Sequence, residues 1–156
     1  MLTFRESSVD GPAARAVLSE YFEFRAAGFP SAQGVYRTVF PTPAEFEPPR
    51  GAFVLVEDEG VAVGCGGIRR IELADHPAAA EIKHLWLQPQ LRSRGFGRLL
   101  LAELQRHAVA LGAQCLVLDT NASLTAAGAL YRSAGFAEVP PYNDNANATT
   151  WFAKAL

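Results

Sequence analysis

Residues 81–112, EIKHLWLQPQLRSRGFGRLLLAELQRHAVALG, read as a strand, a short turn rich in Arg and Gly, and a long amphipathic helix. The turn is Arg92-Ser93-Arg94-Gly95-Phe96-Gly97, with Arg98 following. Two glycines therefore bracket one residue where the helix must begin. Free backbone N–H groups and the positive end of a helix dipole lie there beside three arginines, an arrangement suited to holding phosphate. A phosphate group needs several donors converging at short range, and side chains at positions 95 and 97 would obstruct its approach. Glycine removes the Cβ, while Arg92, Arg94 and Arg98 offer charge-assisted bonds. The competing account is a helix N-terminus with incidental solvated arginines.

Outward from this stretch, Leu2 to Glu6 reads as a first strand, and Gly11-Pro12 opens a helix to about Ala27. Ala13, Val17, Tyr21 and Phe24 form that helix's apolar stripe. The Pro-punctuated segment from Ser31 to Pro49 predicts a second short helix plus a loop, whose aromatics either line a pocket or simply pack. Ala52–Glu57 and Val61–Glu72 are strands joined by the hairpin signal Asp58-Glu59-Gly60. Gly64, Gly66 and Gly67 mark a bulge or a close backbone approach in the second. Ala80 to Leu87 returns as a third strand. The helix after the turn carries Phe96, Leu99, Leu100, Leu104, Ala108 and Leu111 on one face and stops at Gly112. Cys115–Leu118 is a strand, and Asn121 or Ser123 caps a helix that runs through Tyr131 and closes at Gly135. Phe136–Val139 and Trp151–Leu156 are further strands, with a polar loop, Tyr142–Asn147, between them. The expectation is one α/β domain over residues 1–156: a mixed, mostly antiparallel central sheet of six to seven strands with helices on both faces.

The chain has 156 residues, 49% apolar and 19% charged, with a net charge of −2. At that length roughly 68–70% of the unfolded surface is buried on folding. A slightly acidic chain has no general attraction for nucleic acid or an anionic membrane. A local arginine cluster within it points to a discrete anionic ligand. No apolar run is long enough for a membrane helix and no signal pattern opens the chain, so a cytoplasmic location is expected. Cys65 and Cys115 sit in apolar, strand-like runs and read as buried, reduced thiols, with a disulfide or a catalytic thiol as the alternatives. His76 and His107 read as surface residues. No Cys/His/Asp spacing suggests a metal site.

These residues carry a resemblance. Arg92-Ser93-Arg94-Gly95-Phe96-Gly97, preceded by a strand ending Leu85-Trp86-Leu87-Gln88-Pro89 and followed by a Leu-rich helix, resembles the coenzyme A fingerprint of the GNAT superfamily of N-acetyltransferases. Asn121 and the run Ala129-Leu130-Tyr131-Arg132-Ser133-Ala134-Gly135-Phe136 are similar to its second signature. The resemblance covers roughly residues 50–140 well and the first 50 residues in outline. It implies acetyl transfer from acetyl-CoA, a co-substrate, to a primary amine by direct attack in a ternary complex, without metal. It also implies that backbone at Leu85 and Leu87 holds the pantetheine and the acetyl carbonyl. Amides from Arg94 through Gly95, Phe96 and Gly97 to Arg98 would hold the pyrophosphate, and Asn121 would bind pantetheine, cap the next helix, or do both.

By the same resemblance Tyr131 protonates the departing thiolate. A phenol of pKa about 10 is within about 1.5 units, roughly 2 kcal/mol, of an alkyl thiol. The alternative is an aromatic packed in the core. Glu81 is the candidate general base; an exposed charge or a partner for Lys83 is its alternative. A lysine amine of pKa about 10.4 is neutral only about once in 2,500 at pH 7, a deficit near 4.6 kcal/mol, whereas an α-amine loses only about 1 kcal/mol. Strand alternation puts Glu81, Lys83, Leu85 and Leu87 on one face and His84, a second candidate base, on the other. Arg132 either reaches cofactor phosphate or is solvated. Acceptor recognition is expected from Tyr21–Phe40 and from Tyr142–Asn147, where Asp144 could meet a cationic amine. A non-catalytic acyl-CoA-binding or regulatory module is the runner-up. A nucleotide-binding protein fits less well, because the Lys-Ser/Thr of a P-loop is missing. Neither the amine acceptor nor the oligomeric state, a homodimer included, is fixed by the sequence.

Overall fold

The computed structural model describes residues 1–156. Alternating and β-branched runs form strands β1 (Leu2–Glu6), β2 (Gly51–Asp58), β3 (Val61–Ile71) and β4 (Ala79–Leu87), which pair antiparallel in that order. After β4 come α2 (Phe96–Ala110), β5 (Cys115–Thr120), α3 (Thr125–Ser133), β6 (Ala137–Val139) and β7 (Thr150–Ala155); α1 (Pro12–Gly28) follows β1. The seven strands make one mixed sheet in the order β1-β2-β3-β4-β5-β7-β6, and only β4 and β5 are parallel.

Each sheet face has its own core. On one side Leu100, Leu104 and Ala108 of α2 pack with Val54, Val56, Ile68, Leu116 and Phe152, joined by Tyr131 of α3. On the other, Ala14, Val17, Leu18 and Phe22 of α1 pack on Phe53, Leu55, Cys65 and Trp86. The three β3 glycines make these approaches feasible. A Cβ on Gly66 would come within 2.8 Å of Leu104, and one on Gly67 within 2.8 Å of Phe46.

Several expectations need correction. The segment from Ser31 to Pro49 holds only two single-turn 3₁₀ helices, Ser31–Gln33 and Pro43–Glu45. Gly34, at φ +99°, ends the first after one turn, and prolines at 41, 43, 48 and 49 interrupt the run of donors in the second half. The buried face of α2 is rotated toward Leu101 and His107, leaving Leu99 53% exposed. His107 is therefore a buried residue: its two ring nitrogens lie 3.2 Å from Glu6 and Glu103. Helix α3 begins after Leu124 with no side-chain cap; Asn121 instead accepts from the Ser123 N–H. Cys65 is buried but Cys115 is only half-buried, and both are free.

Candidate active site

The site is created where two neighbouring strands part. Strand β4 pairs with β5 only through Ala79–Cys115, Ala80–Leu116 and Glu81–Val117, yet β4 continues to Leu87 and β5 to Thr120. The β4 edge from Ile82 onward that faces β5 thus has no strand against it. A β-bulge coincides with the parting. His84 has φ +57°, and the β3–β4 register slips by one residue opposite Gly66. The extra residue inverts the alternation. Ala80 and Ile82 share a core with Leu87 and with the adjoining Leu85, while Trp86 joins the opposite core. Glu81 therefore lies on the face opposite Leu85 and Leu87, contrary to the expectation from strict alternation.

A pocket of about 340 Å³ fills the fork. Ile82, Leu85, Leu118 and Tyr131 line its depth, and α1 and the segment after it line its far side. Tyr131 is buried against the rings of Phe136 and Phe152, and none of the chain's acceptors takes its hydroxyl proton. Burial pushes that phenol up, with Tyr21 adding to the shift, so it remains protonated at neutral pH.

Beyond Leu87 the chain enters the arginine–glycine turn. Gly95 adopts φ +83°, a conformation that costs an L-residue with a Cβ. Not one backbone N–H from Ser93 to Arg98 finds an acceptor within the chain. These consecutive donors sit at the positive end of α2, as expected of an anion cradle. Gly97 has a different reason to be glycine: a Cβ there would sit 3.1 Å from Leu130 of α3. The arginines diverge. Arg92 donates to the Leu87 carbonyl at 3.0 Å and stacks on Phe24 and Trp86, each 4.6 Å away. Arg98 binds Ser133 at the end of α3, at 2.8 Å. Arg94 lies over Phe96 and makes no hydrogen bond within the chain.

The other candidates are gathered but largely occupied. Glu81 is 1% exposed; one oxygen takes Arg69 at 2.8 Å and the other the Tyr142 hydroxyl at 2.7 Å. It does not line the pocket, whereas Asp119 does. Both Asp119 oxygens are 3.1 Å from Lys83 Nζ, and Asn143 donates to one at 2.7 Å. Burial works against ionisation of Asp119, yet Lys83 and the asparagines hold its carboxyl below the usual range. His84 lines the pocket among Tyr21, Phe22 and Phe46; burial, aided by Lys83 and Arg69, pushes it down to about 3, so it is neutral and a weak base at pH 7. Asn121 spends its amide on Gln33 at 2.7 Å and the Asn147 carbonyl at 3.1 Å. Asp144 is exposed and outside the pocket, which corrects its expected place beside an amine. Arg132 stacks on Phe152. No cluster of His, Cys, Asp and Glu suited to a metal ion is present.

Two pocket-lining residues were not singled out in the sequence: Asp119, and Arg25 within the Tyr21–Phe40 stretch expected to recognise the acceptor. Asp119 directly follows the apolar run of β5, and Arg25 stands four residues after Tyr21 on one helix face; both signals were in the sequence.

The sequence pattern of the acetyltransferase (GNAT) family matches residues 15–136. The chain belongs to that family. It is 34% identical over 102 residues to an uncharacterized N-acetyltransferase of Schizosaccharomyces pombe, across 65% of this chain and 61% of the relative. It is 33% identical over 90 residues to an IAA acetyltransferase of Azospirillum brasilense, across 58% of this chain and 57% of that protein. The matched region thus spans less than two thirds of either relative. The fold is also that of an acetyltransferase from Streptococcus agalactiae, with TM-score 0.78, 19% identity and coverage of 99% and 98% of the two chains. PaiA N-acetyltransferase of Thermoplasma acidophilum, solved in complex with coenzyme A, shares it with TM-score 0.72, 14% identity and coverage of 100% and 99%. No helix is long and apolar enough to cross a membrane.

Proposed function

We propose that the chain is an N-acetyltransferase that moves an acetyl group from acetyl-CoA to a primary amine by direct attack in a ternary complex. The observation that carries this is the continuous set of unpartnered amides from Ser93 to Arg98, beside an open strand edge that ends at a buried, protonated tyrosine. The same fold holds coenzyme A in the Thermoplasma acidophilum protein.

When bound, acetyl-CoA supplies a thioester carbonyl carbon open to an amine. The amides of 93–98 and the Arg94 guanidinium hold the pyrophosphate. The free edge of β4 at Leu85 and Leu87 orients the arm against Leu118 and Tyr131. Tyr131 holds a proton at Oη and gives it to the sulfur as the C–S bond breaks. Burial raises this phenol further above a thiol than the isolated pKa values imply, so its donation is coupled to charge appearing on sulfur. Of the two carboxylates at the pocket wall, Glu45 is paired with Arg69, and Asp119, beside the fork, is the candidate to receive the amine's proton. Glu81, behind it, positions Tyr142 and Arg69.

One observation favours the alternative of a non-catalytic acyl-CoA-binding module: Glu81 and Asp119 are both already engaged by cations and hydrogen bonds. Acetyl-CoA-dependent thiol release against a panel of amines separates the two. The enzyme reading expects amine-dependent release well above hydrolysis. Binding of coenzyme A without release by any amine would leave the module.

A further inference from the structure

Resting on that reading, we propose that the acceptor is an amine that bears its own carboxylate on an aromatic or apolar body, of the α-amino-acid class. The argument is one of uncompensated charge. Arg25, Arg37, Arg69 and Lys83 reach the pocket, against Glu45 and Asp119. Arg69 is neutralised by Glu45 and Glu81, and Lys83 by Asp119. Arg25 and Arg37 pair with no carboxylate. The only hydrogen bond of the Arg25 side chain goes to the Tyr21 hydroxyl at 3.1 Å, and its guanidinium lies 5.0 Å over the Tyr36 ring. Arg37 is tied to Asn147 through its backbone alone, so its guanidinium is free.

A lysine side chain or a polyamine would bring more positive charge against two unpaired cations, Arg25 half-buried and Arg37 exposed, which disfavours it. A carboxylate is what a guanidinium fork binds bidentately. Tyr21, Phe22, Tyr36, Phe40 and Phe46 line the same pocket as Arg25 and the fork, matching an aromatic or apolar body. Arg25, Asp119 and Tyr131 all line the one pocket of about 340 Å³, so carboxylate, body and amine fit within the reach of one small molecule. In that pose the carboxylate meets Arg25 and Arg37, and the amine faces Asp119 and the fork.

L-Phenylalanine and phenethylamine differ only in the carboxylate and test this directly by thiol release from acetyl-CoA. The expected kcat/KM is at least tenfold higher for phenylalanine. Arg25→Gln should bring the two within about threefold, through KM, while calorimetric affinity for coenzyme A stays unchanged. Equal or better use of phenethylamine by the wild-type chain overturns the proposal. If neither amine turns over, N-acetyl-L-phenylalanine and N-acetylphenethylamine are titrated with and without coenzyme A. Selective binding of the acid, lost in Arg25→Gln, upholds the anionic subsite, and no preference overturns it. Failure of coenzyme A itself to bind is a separate outcome that strikes the donor reading, while the titration of the acid still decides the subsite.

Discussion

At the scale of single residues, Tyr131 and Glu81 part company. Each is buried, yet Tyr131 keeps a hydroxyl that no group in the chain engages, whereas both Glu81 oxygens are taken. A group whose hydrogen-bonding capacity is spent inside the fold is available to substrate only at the cost of breaking those bonds, about 1.5–3 kcal/mol each where a charge is involved. Tyr131→Phe should lower kcat well over tenfold and leave coenzyme A affinity within about twofold; steady-state kinetics with calorimetry check both. A kcat near wild type would remove Tyr131 from proton transfer. Leu130-Tyr131 before a closing glycine drew attention to Tyr131, and the residue does line the pocket. The enclosure of Glu81 was not, because Arg69 and Tyr142 reach it from twelve and sixty-one positions away in sequence.

At the scale of elements, the turn and the fork differ in how far they could be read. The turn's chemistry is local: a glycine at φ +83° followed directly by a helix leaves amides unpaired whatever the rest of the chain does. Its arginines are another matter. Arg92 is drawn to Leu87 and Trp86, and Arg98 to Ser133, by contacts that exist only after α2 has docked. The resemblance implied available backbone at Leu85 and Leu87, but the bulge at His84 that inverts the faces of β4 breaks the period-two rule and has no short-range signature. If the amides hold an anion, a negative charge placed among them should exclude it. Asp and Asn both tolerate a left-handed backbone, so Gly95→Asp should weaken coenzyme A binding at least tenfold more than Gly95→Asn. The gap should narrow as salt is raised. Equal affinities for the two variants would mean the pyrophosphate is held elsewhere.

At the scale of the whole molecule, the sheet separates two cores, and the ionisable groups His84 and Asp119 lining the pocket tie stability to pH. His84 has a folded value pushed down to about 3 from 6.5, with burial the main cause, so the unfolded chain binds its proton more readily. Stability from this group is complete above about pH 6.5 and is lost as pH falls toward 3. Asp119, also held low, acts in the same direction but only near and below the ordinary carboxylate range. Urea midpoints should therefore fall between pH 7.5 and 5 for the wild-type chain, and His84→Asn, which suits the positive φ, should flatten that fall. An unchanged wild-type midpoint over this window would contradict the burial of a neutral His84. The α/β architecture was legible because alternation, glycine stops and turn signals agree along most of the chain. The segment from 31 to 49, expected to hold a short helix, makes only two single 3₁₀ turns. The charge balance of the pocket depends on α1 meeting β4 and β5 in space, so no spacing along the chain encodes it. The central claim is that this fold is built around a coenzyme A donor site, and calorimetric titration of the wild-type chain with acetyl-CoA, set beside ATP, tests it most directly. The account predicts one acetyl-CoA bound per chain, at least tenfold more tightly than ATP. Absence of heat with acetyl-CoA, or equal affinity for ATP, would contradict it.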